Sequence, residues 1–296
     1  MPPRALPAPL AAILAEAAGT TAVVAHRLDG TGPRIAHLAD RPFALASVMK
    51  LPLLVHVLRR VDDGALDLAA RTPLTEDDRV AGSGVLHLLD PGLAPTLRDL
   101  LVLAMVVSDN MATDALLARA PLAAVEADMA ELGYDSVRLP HTIRRMLASQ
   151  AGVADDAPYA TVRTIFRDPD RPVPDDPDGA SPERGDRATP ADLARLLADV
   201  HAGRLLSPAS TALALEILEA CQTNARIPAD LPQGTRVAHK TGTLRGRAND
   251  VGIVHAPGGP FVLVLMNEGE VEERHASRVL ARAARWVFDA FEGGTA

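Results

Sequence analysis

The sequence predicts an α+β fold: one antiparallel five-stranded sheet flanked by terminal helices, with an all-α domain inserted into it. Three observations predict this. The hydrophobic period changes along the chain in the order helix, two strands, many helices, three strands, helix. Strands occur only near the two ends, so the ends have to meet for one sheet to close around the helical block. The chain has 296 residues, 48% of them apolar, which is enough for a large core. The expected division is residues 1–40 with 226–296 as the α/β sheet domain and 41–225 as the helical domain.

Each element has a local reason. Leu10, Ile13, Leu14 and Ala17 recur at helical spacing. Arg4 followed by a short apolar run superficially resembles a secretion signal. Pro7 and Pro9 interrupt that run and Glu16 follows it, so a first amphipathic helix is the better reading. A cytoplasmic protein is expected on this ground, although a secreted one already trimmed of its signal would look the same. Residues 21–28 and 34–38 read as strands joined by the turn Asp29-Gly30-Thr31-Gly32. From 47 to about 61 the pattern is helical and almost wholly apolar, which marks a buried helix. Pro52 near its start implies a kink or a late beginning.

Helices are expected at 97–107, 111–119 and 122–132. From 151 to 187 aspartate, proline and arginine dominate, and this stretch reads as a surface loop or mobile insertion. Thr189-Pro190 opens the next helix, which Gly203 ends; Ser207-Pro208 opens another, to about Cys221. Residues 236–243, 250–255 and 261–266 alternate as strands, and 267–269 read as a turn. A final helix carries Leu280, Ala283, Val287 and Phe291 on one face.

Composition excludes several functions. The net charge of −8 argues against nucleic acid or an anionic membrane as partner, and no stretch is apolar and long enough to span a bilayer. The single cysteine, Cys221, excludes an internal disulfide and reads as a small core residue. Neither it nor the histidines have metal-binding spacing, so no metal or cofactor is called for.

The basic residues are more telling. Of 30 lysines and arginines only Lys50 and Lys240 are lysines. Arginine cannot give up its proton in a protein, whereas a crowded or buried lysine can. Lys50 closes Ser47-Val48-Met49-Lys50, Lys240 opens Lys240-Thr241-Gly242-Thr243, and Ser108-Asp109-Asn110 lies between them.

Each motif alone is weak; in this order and at this spacing the three resemble the signature of the penicillin-recognising serine enzymes, specifically the class A β-lactamase-like serine hydrolases. The resemblance runs from about Leu10 to Phe291, the insertion excepted. It includes Gly82-Ser83-Gly84-Val85-Leu86, residues 100–113 and Thr189-Pro190. It implies the α/β sandwich of the β-lactamase/transpeptidase type. It also implies an acyl-enzyme at Ser47 on an amide, ester or β-lactam, with a small-molecule or peptide-like substrate bearing a carboxylate, and a monomer.

The implied roles have physical reasons. A serine hydroxyl is a poor nucleophile until a neighbouring base takes its proton. Lys50, three residues on along a helix start, shares a face with Ser47 and can be that base if burial or the Lys240 cation depresses its pKa. Ser108 can relay a proton to a leaving nitrogen. Asn110 can orient Lys50 and the substrate amide. Lys240, Thr241 and Gly242 can hold a substrate carboxylate, and the backbone N–H groups of Ser47 and Thr243 would form the oxyanion hole. Arg226, fourteen residues before Lys240, is either a second carboxylate anchor or a solvated arginine. Asp109 and Asp250 read as structural, and His239 as a group that sets the local field.

One departure from the family matters. Its class A members remove the acyl group with a loop glutamate, which should fall near residues 142–145 here. No Asp or Glu occurs between Ser136 and Ala154, and the asparagine usual after that glutamate is missing too. Gly82-Ser83-Gly84 replaces an aromatic residue usual at the pocket entrance. His141 is either a substitute base or an exposed loop histidine. Two alternatives to lactam turnover follow. One is a peptidase, esterase or acyltransferase that does not act on antibiotics; the other is a slowly deacylating sensor or trap.

Overall fold

In the computed structural model, which describes residues 6–168 and 183–293, the chain enters through α1 (Ala8–Leu14), then forms β1 (Gly19–Arg27) and β2 (Arg34–His37). A short strand β3 (Phe43–Ala44) leads through a 3-10 turn, Ala46–Met49, into α2 (Lys50–Asp62). The helical block continues with α3 (Leu97–Val106), α4 (Asn110–Leu117), α5 (Leu122–Glu131), α6 (Ile143–Ala151) and α7 (Tyr159–Arg167). Strand β4 (Arg187–Ala188) pairs with β3, and α8 (Pro190–His201) and α9 (Pro208–Glu219) follow. The chain closes with β5 (Arg236–Leu244), β6 (Arg247–Ala256), β7 (Gly259–Gly269) and α10 (Glu273–Phe291).

The sheet order is β2-β1-β7-β6-β5, with every neighbour antiparallel. The N-terminal strand joins the C-terminal ones through β1 and β7, from Gly19 opposite Gly269 to Arg27 opposite Phe261. The predicted fold class therefore holds. Side chains alternate between the two faces with period two, which divides the core. Val23, Ala25, Leu263 and Leu265 pack against α1 and α10, whereas Ala22, Val24, Val264 and Met266 pack on the helical block. In α2 every residue from Lys50 to Leu58 is buried, so the lysine at its start is carried into a dry interior.

Several sequence expectations are corrected. Residues 267–269 do not turn but continue β7. The Asn267 side chain donates to Thr21 Oγ1 at 2.8 Å and to Ala18 O at 3.2 Å, and these bonds with the β1 ladder outweigh the local turn preference. The stretch 151–187 is not loop throughout: α7 lies within it, because Tyr159, Val162 and Phe166 recur at helical spacing and pack on the core. Residues 169–182 of that stretch lie outside the described residues. The segment 138–145 is likewise part helix, since the Thr142 hydroxyl accepts from Arg145 N and starts α6. The late helix start expected from Pro52 is realised as the 3-10 turn, in which Ser47 sits. No helix among the described residues is long and apolar enough to cross a membrane.

Candidate active site

Ser47 lies half-buried in the turn between β3 and α2. The residue before it, Ala46, has φ 49°, and Ser108 has φ 55°. Left-handed backbone at a residue with a β-carbon costs about 1–3 kcal/mol, so the surrounding contacts have to hold it. They are visible. Asn249 Nδ2 donates to Ala44 O at 2.8 Å and Leu45 O at 3.1 Å, and Leu45 N donates to Asp186 O at 2.8 Å. Gly242 of β5 packs on the same turn. A β-carbon there would stand 2.5 Å from Leu45 O and 3.1 Å from Val48 N, so this close approach of strand to turn needs glycine.

The second motif is fixed by Asp109. Its buried carboxylate accepts from Ala112 N at 2.9 Å, capping α4, and from Val85 N at 2.6 Å and Leu86 N at 2.9 Å. Gly84 lies against it: a β-carbon would come within 2.3 Å of the Asp109 carboxyl, and the residue has φ 104°. The structural reading of Asp109 agrees with these contacts.

The three motifs converge on Ser108. Lys50 Nζ, fully buried, donates to Ser108 O at 2.7 Å and Asn110 Oδ1 at 3.0 Å and lies 3.1 Å from Ser108 Oγ. Lys240 Nζ donates to Ser108 Oγ at 3.1 Å and to Thr241 O at 2.9 Å. Asn110 is itself oriented by its Nδ2 bond to Ala81 O at 2.8 Å. Burial, then the Lys240 charge, push the Lys50 ammonium well below the usual lysine range, against the pull of Asp109 and Asp114. Burial also lowers Lys240, to about 8, although Cys221 and Asp250 support its charge. Both shifts make a proton easier to remove from this pair than from a solvated lysine.

Behind Lys240, His239 points to the other face of β5. Its Nδ1 lies 2.8 Å from Asp250 Oδ1 and its Nε2 3.1 Å from Asn224 Oδ1, two acceptors for a doubly protonated ring. Burial disfavours that cation, but the Asp250 carboxylate outweighs it and raises the pKa to about 10. Asp250 also accepts from Ile227 N at 2.9 Å. Cys221 is buried beside His239, in a polar contact rather than a purely apolar one.

Ser47, Ser108, Asn110, Thr241 and Thr243 line a cavity of about 750 Å³, with Gly82 and Ser83 at its edge. Arg226 is no solvated arginine: it is 1% exposed and does not line the cavity. Its guanidinium donates to Gly242 O at 2.9 Å, Asn249 O at 2.7 Å and Thr243 Oγ1 at 2.7 Å, and pairs with Glu273 at 3.3 Å. It braces β5 and β6 and reaches the cavity lining through Thr243 and Glu273.

The opposite wall comes from α6 and α7, through Ile143, Met146, Leu147, Gln150 and Phe166. Sequence reasoning missed this wall, although Thr142 as a helix cap followed by the spacing 143, 146, 147, 150 was a readable signal. Asp114, also missed, accepts from Ile143 N at 2.8 Å and Arg144 N at 2.9 Å and ties the start of α6 to α4. Desolvation raises its carboxyl pKa. His141 is buried, not exposed, and stays off the cavity; its backbone N–H donates to Asp186 Oδ1 at 3.0 Å. Burial lifts Asp186 to about 8. Among the described residues, the carboxylates that line the cavity are Glu270 and Glu273, at the junction of β7 and α10. Glu270 accepts from Ala18 N and Glu272 N, and Glu273 pairs with Arg226.

Comparison with known proteins places this arrangement. A curated relative, "Beta-lactamase regulatory protein BlaB" of Streptomyces cacaoi, is 27% identical over 288 residues, 88% of this chain and 89% of its own length. A beta-lactamase of Mycobacterium tuberculosis is 29% identical over 264 residues, 87% of this chain and 77% of its own. The crystal structure of a beta-lactamase from Sphaerobacter thermophilus superimposes with a TM-score of 0.79 at 31% identity, covering 96% of this chain and 97% of that one. The model of the Beta-lactamase enzyme family matches residues 5–291, and with nearly the whole chain so matched, this protein belongs to that family.

Proposed function

We propose that the protein is a serine hydrolase that forms an acyl-enzyme at Ser47 on an amide, an ester or a β-lactam, and that it releases the acyl group slowly. The observation that carries the first half is the setting of Lys50. A neutral lysine has two N–H bonds and one lone pair. Ser108 O and Asn110 Oδ1 are acceptors that occupy the two N–H bonds, which leaves the lone pair to take a hydroxyl proton. Ser47 Oγ then bonds to the substrate carbonyl carbon as its proton passes to Lys50. The backbone N–H groups of Ser47 and Thr243 stabilise the oxyanion, an effect on the order of 3–4 kcal/mol per donor. When the carbon–nitrogen bond breaks, the leaving nitrogen takes a proton from Ser108, which is replenished from Lys50. The Lys240 cation, with Thr241, Gly242 and Thr243, holds a substrate carboxylate, and Arg226 supports that site from behind Thr243.

The second half rests on the opposite wall. Residues 143–151 place three apolar side chains on the cavity and no carboxylate, and the two glutamates that reach it are tied elsewhere. Without a base to activate water, the acyl-enzyme forgoes about 10²–10⁴ in hydrolysis rate. Rapid mixing with benzylpenicillin and with an activated ester, followed by intact mass, tests both halves. The expected result is a burst of one equivalent and an adduct on Ser47, then slow turnover, faster for the ester. Fast steady-state penicillin hydrolysis without an accumulated adduct refutes slow release, and absence of any adduct with either substrate refutes the acyl-enzyme. A burst with no later turnover favours the second reading, a sensor or trap, which the same wall supports. A relative named as a regulatory protein fits it.

A further inference from the structure

α6 turns one face to the cavity, made of Ile143, Met146, Leu147 and Gln150 at i, i+3, i+4 and i+7. Three of the four are apolar and the last carries an amide. Gln150 is 1% exposed, and its Nε2 finds no hydrogen-bond partner among the described residues. Buried amide donors are ordinarily paired, because leaving one dry forfeits its hydration with nothing in return. The acylation chemistry makes no use of it, since the hydrogen bonds of Lys50, Ser108 and Lys240 run among themselves, Asn110 and Thr241. The donor is closed over in this structure, so a ligand oxygen reaches it only when the amide turns toward the cavity that Gln150 lines, a turn favoured by the gain of a partner.

We propose that Gln150 is a specificity-determining residue that donates through Nε2 to an oxygen on the acyl part of the substrate. This rests on the acyl-enzyme reading above and narrows it. The acyl part is an apolar body that lies along Ile143, Met146 and Leu147. It carries a neutral carbonyl oxygen, as a ketone or an amide, some bonds away from the scissile carbonyl. A plain hydrocarbon would leave the Gln150 donor dry. A second carboxylate would lose its hydration among apolar neighbours, and one neutral amide does not offset that loss.

Calorimetric binding to the Ser47→Ala protein tests the subsite without chemistry. The probes are octanamide and its 4-, 5-, 6- and 7-oxo derivatives. At least one oxo derivative should bind about tenfold or more tightly than octanamide, the weight of one well-placed hydrogen bond. Gln150→Met, which keeps the length of the side chain and removes the donor, should bring that ratio to about one and leave octanamide binding within about twofold. Should Gln150→Met not fold, the Gln150 side-chain amide resonances in the Ser47→Ala protein replace it, and must shift with the preferred oxo derivative and not with octanamide. No preferred derivative, a preference that survives Gln150→Met, or an unmoved amide resonance overturns the proposal; a permanently bound water on Gln150 would produce the first result. The matching 4-nitrophenyl octanoates, given to the unmodified protein, separate the two readings. An oxo preference in binding with no Ser47 adduct refutes the acyl-enzyme alone, whereas an adduct with no oxo preference refutes the role of Gln150 alone.

Discussion

On one side of the cavity Lys50, Ser108, Asn110 and Lys240 share a continuous set of hydrogen bonds; on the other α6 presents Ile143, Met146 and Leu147. Both walls are packed and largely buried, yet among the described residues α6 and α7 present no ionisable side chain to the cavity, whereas the first wall is backed by two lysines. The contrast teaches that acylation and deacylation are separate structural problems. The first needs a base beside the nucleophile, the role proposed above for a buried lysine crowded by a second one. The second needs a base beside a water on the far side of the acyl group, and on that wall the described residues of α6 present three apolar side chains and an amide.

The largest effect should come from the nucleophile. Ser47→Ala is expected to abolish covalent labelling by a β-lactam or a fluorophosphonate, read by intact mass; stoichiometric labelling of that variant would remove Ser47 from the reacting wall. Next is the base. Lys50→Arg keeps the charge but cannot deprotonate, so the acylation rate should fall by about 10²–10⁴. A near-normal single-turnover rate would contradict a neutral Lys50.

The far wall can be changed in the opposite direction. Ile143 is the one residue of 142–145 that lines the cavity, so Ile143→Glu places a carboxylate where the described residues of that wall have none. The lifetime of the penicilloyl adduct should shorten at least about tenfold, part of the about 10²–10⁴ available to a positioned base. An unchanged lifetime in a folded variant would mean that water on that wall is not what limits release.

Two pH effects are smaller. Lys240 loses its charge as pH rises through about 8. Above that pH the KM for a carboxylate-bearing substrate should therefore rise several-fold while that for a neutral ester stays level, and parallel curves for the two would argue against a carboxylate site there. Asp186 has a folded pKa of about 8, above the value near 3.8 of an unfolded chain. The folded state holds the proton more tightly, so the stability it contributes is complete below pH 4 and is lost as pH rises to about 8. Asp186→Asn keeps an acceptor for His141 N and removes the titration. In urea melts the variant should gain on the parent between pH 4 and 8, by at most about 1.4 kcal/mol per pH unit. A constant difference across that range would show that Asp186 does not titrate on folding.

Much of this was legible in one dimension. The strands of both ends declared a single sheet because period-two alternation is a local property, and β1 does pair with β7. Ser47, Lys50, Ser108 and Lys240 stood out because lysine is otherwise absent. Other features failed for identifiable reasons. Asn267 carries a turn-forming side chain whose bonds to Thr21 and Ala18 come from residues far away in sequence. The region after 151 was read by composition, and the periodicity of Tyr159, Val162 and Phe166 within it was passed over. Arg226 reads in sequence as either a second carboxylate anchor or a solvated arginine, but five donors in one plane also suit a brace between strands, and only the neighbours decide which.

What the sequence determined by itself was an inventory with an order: which groups can be nucleophile, base and relay, and the absence of any carboxylate between Ser136 and Ala154. Tertiary structure decided their states. The Lys50 ammonium is pushed well below the usual lysine range because α2 carries it out of water and because Lys240, distant along the chain, is brought to the same serine. Gln150 reaches the cavity from α6, whose start Asp114 ties to α4. A side chain's identity is local, but its charge and its partners depend on what the fold places within a few ångströms of it, and no linear pattern records that distance.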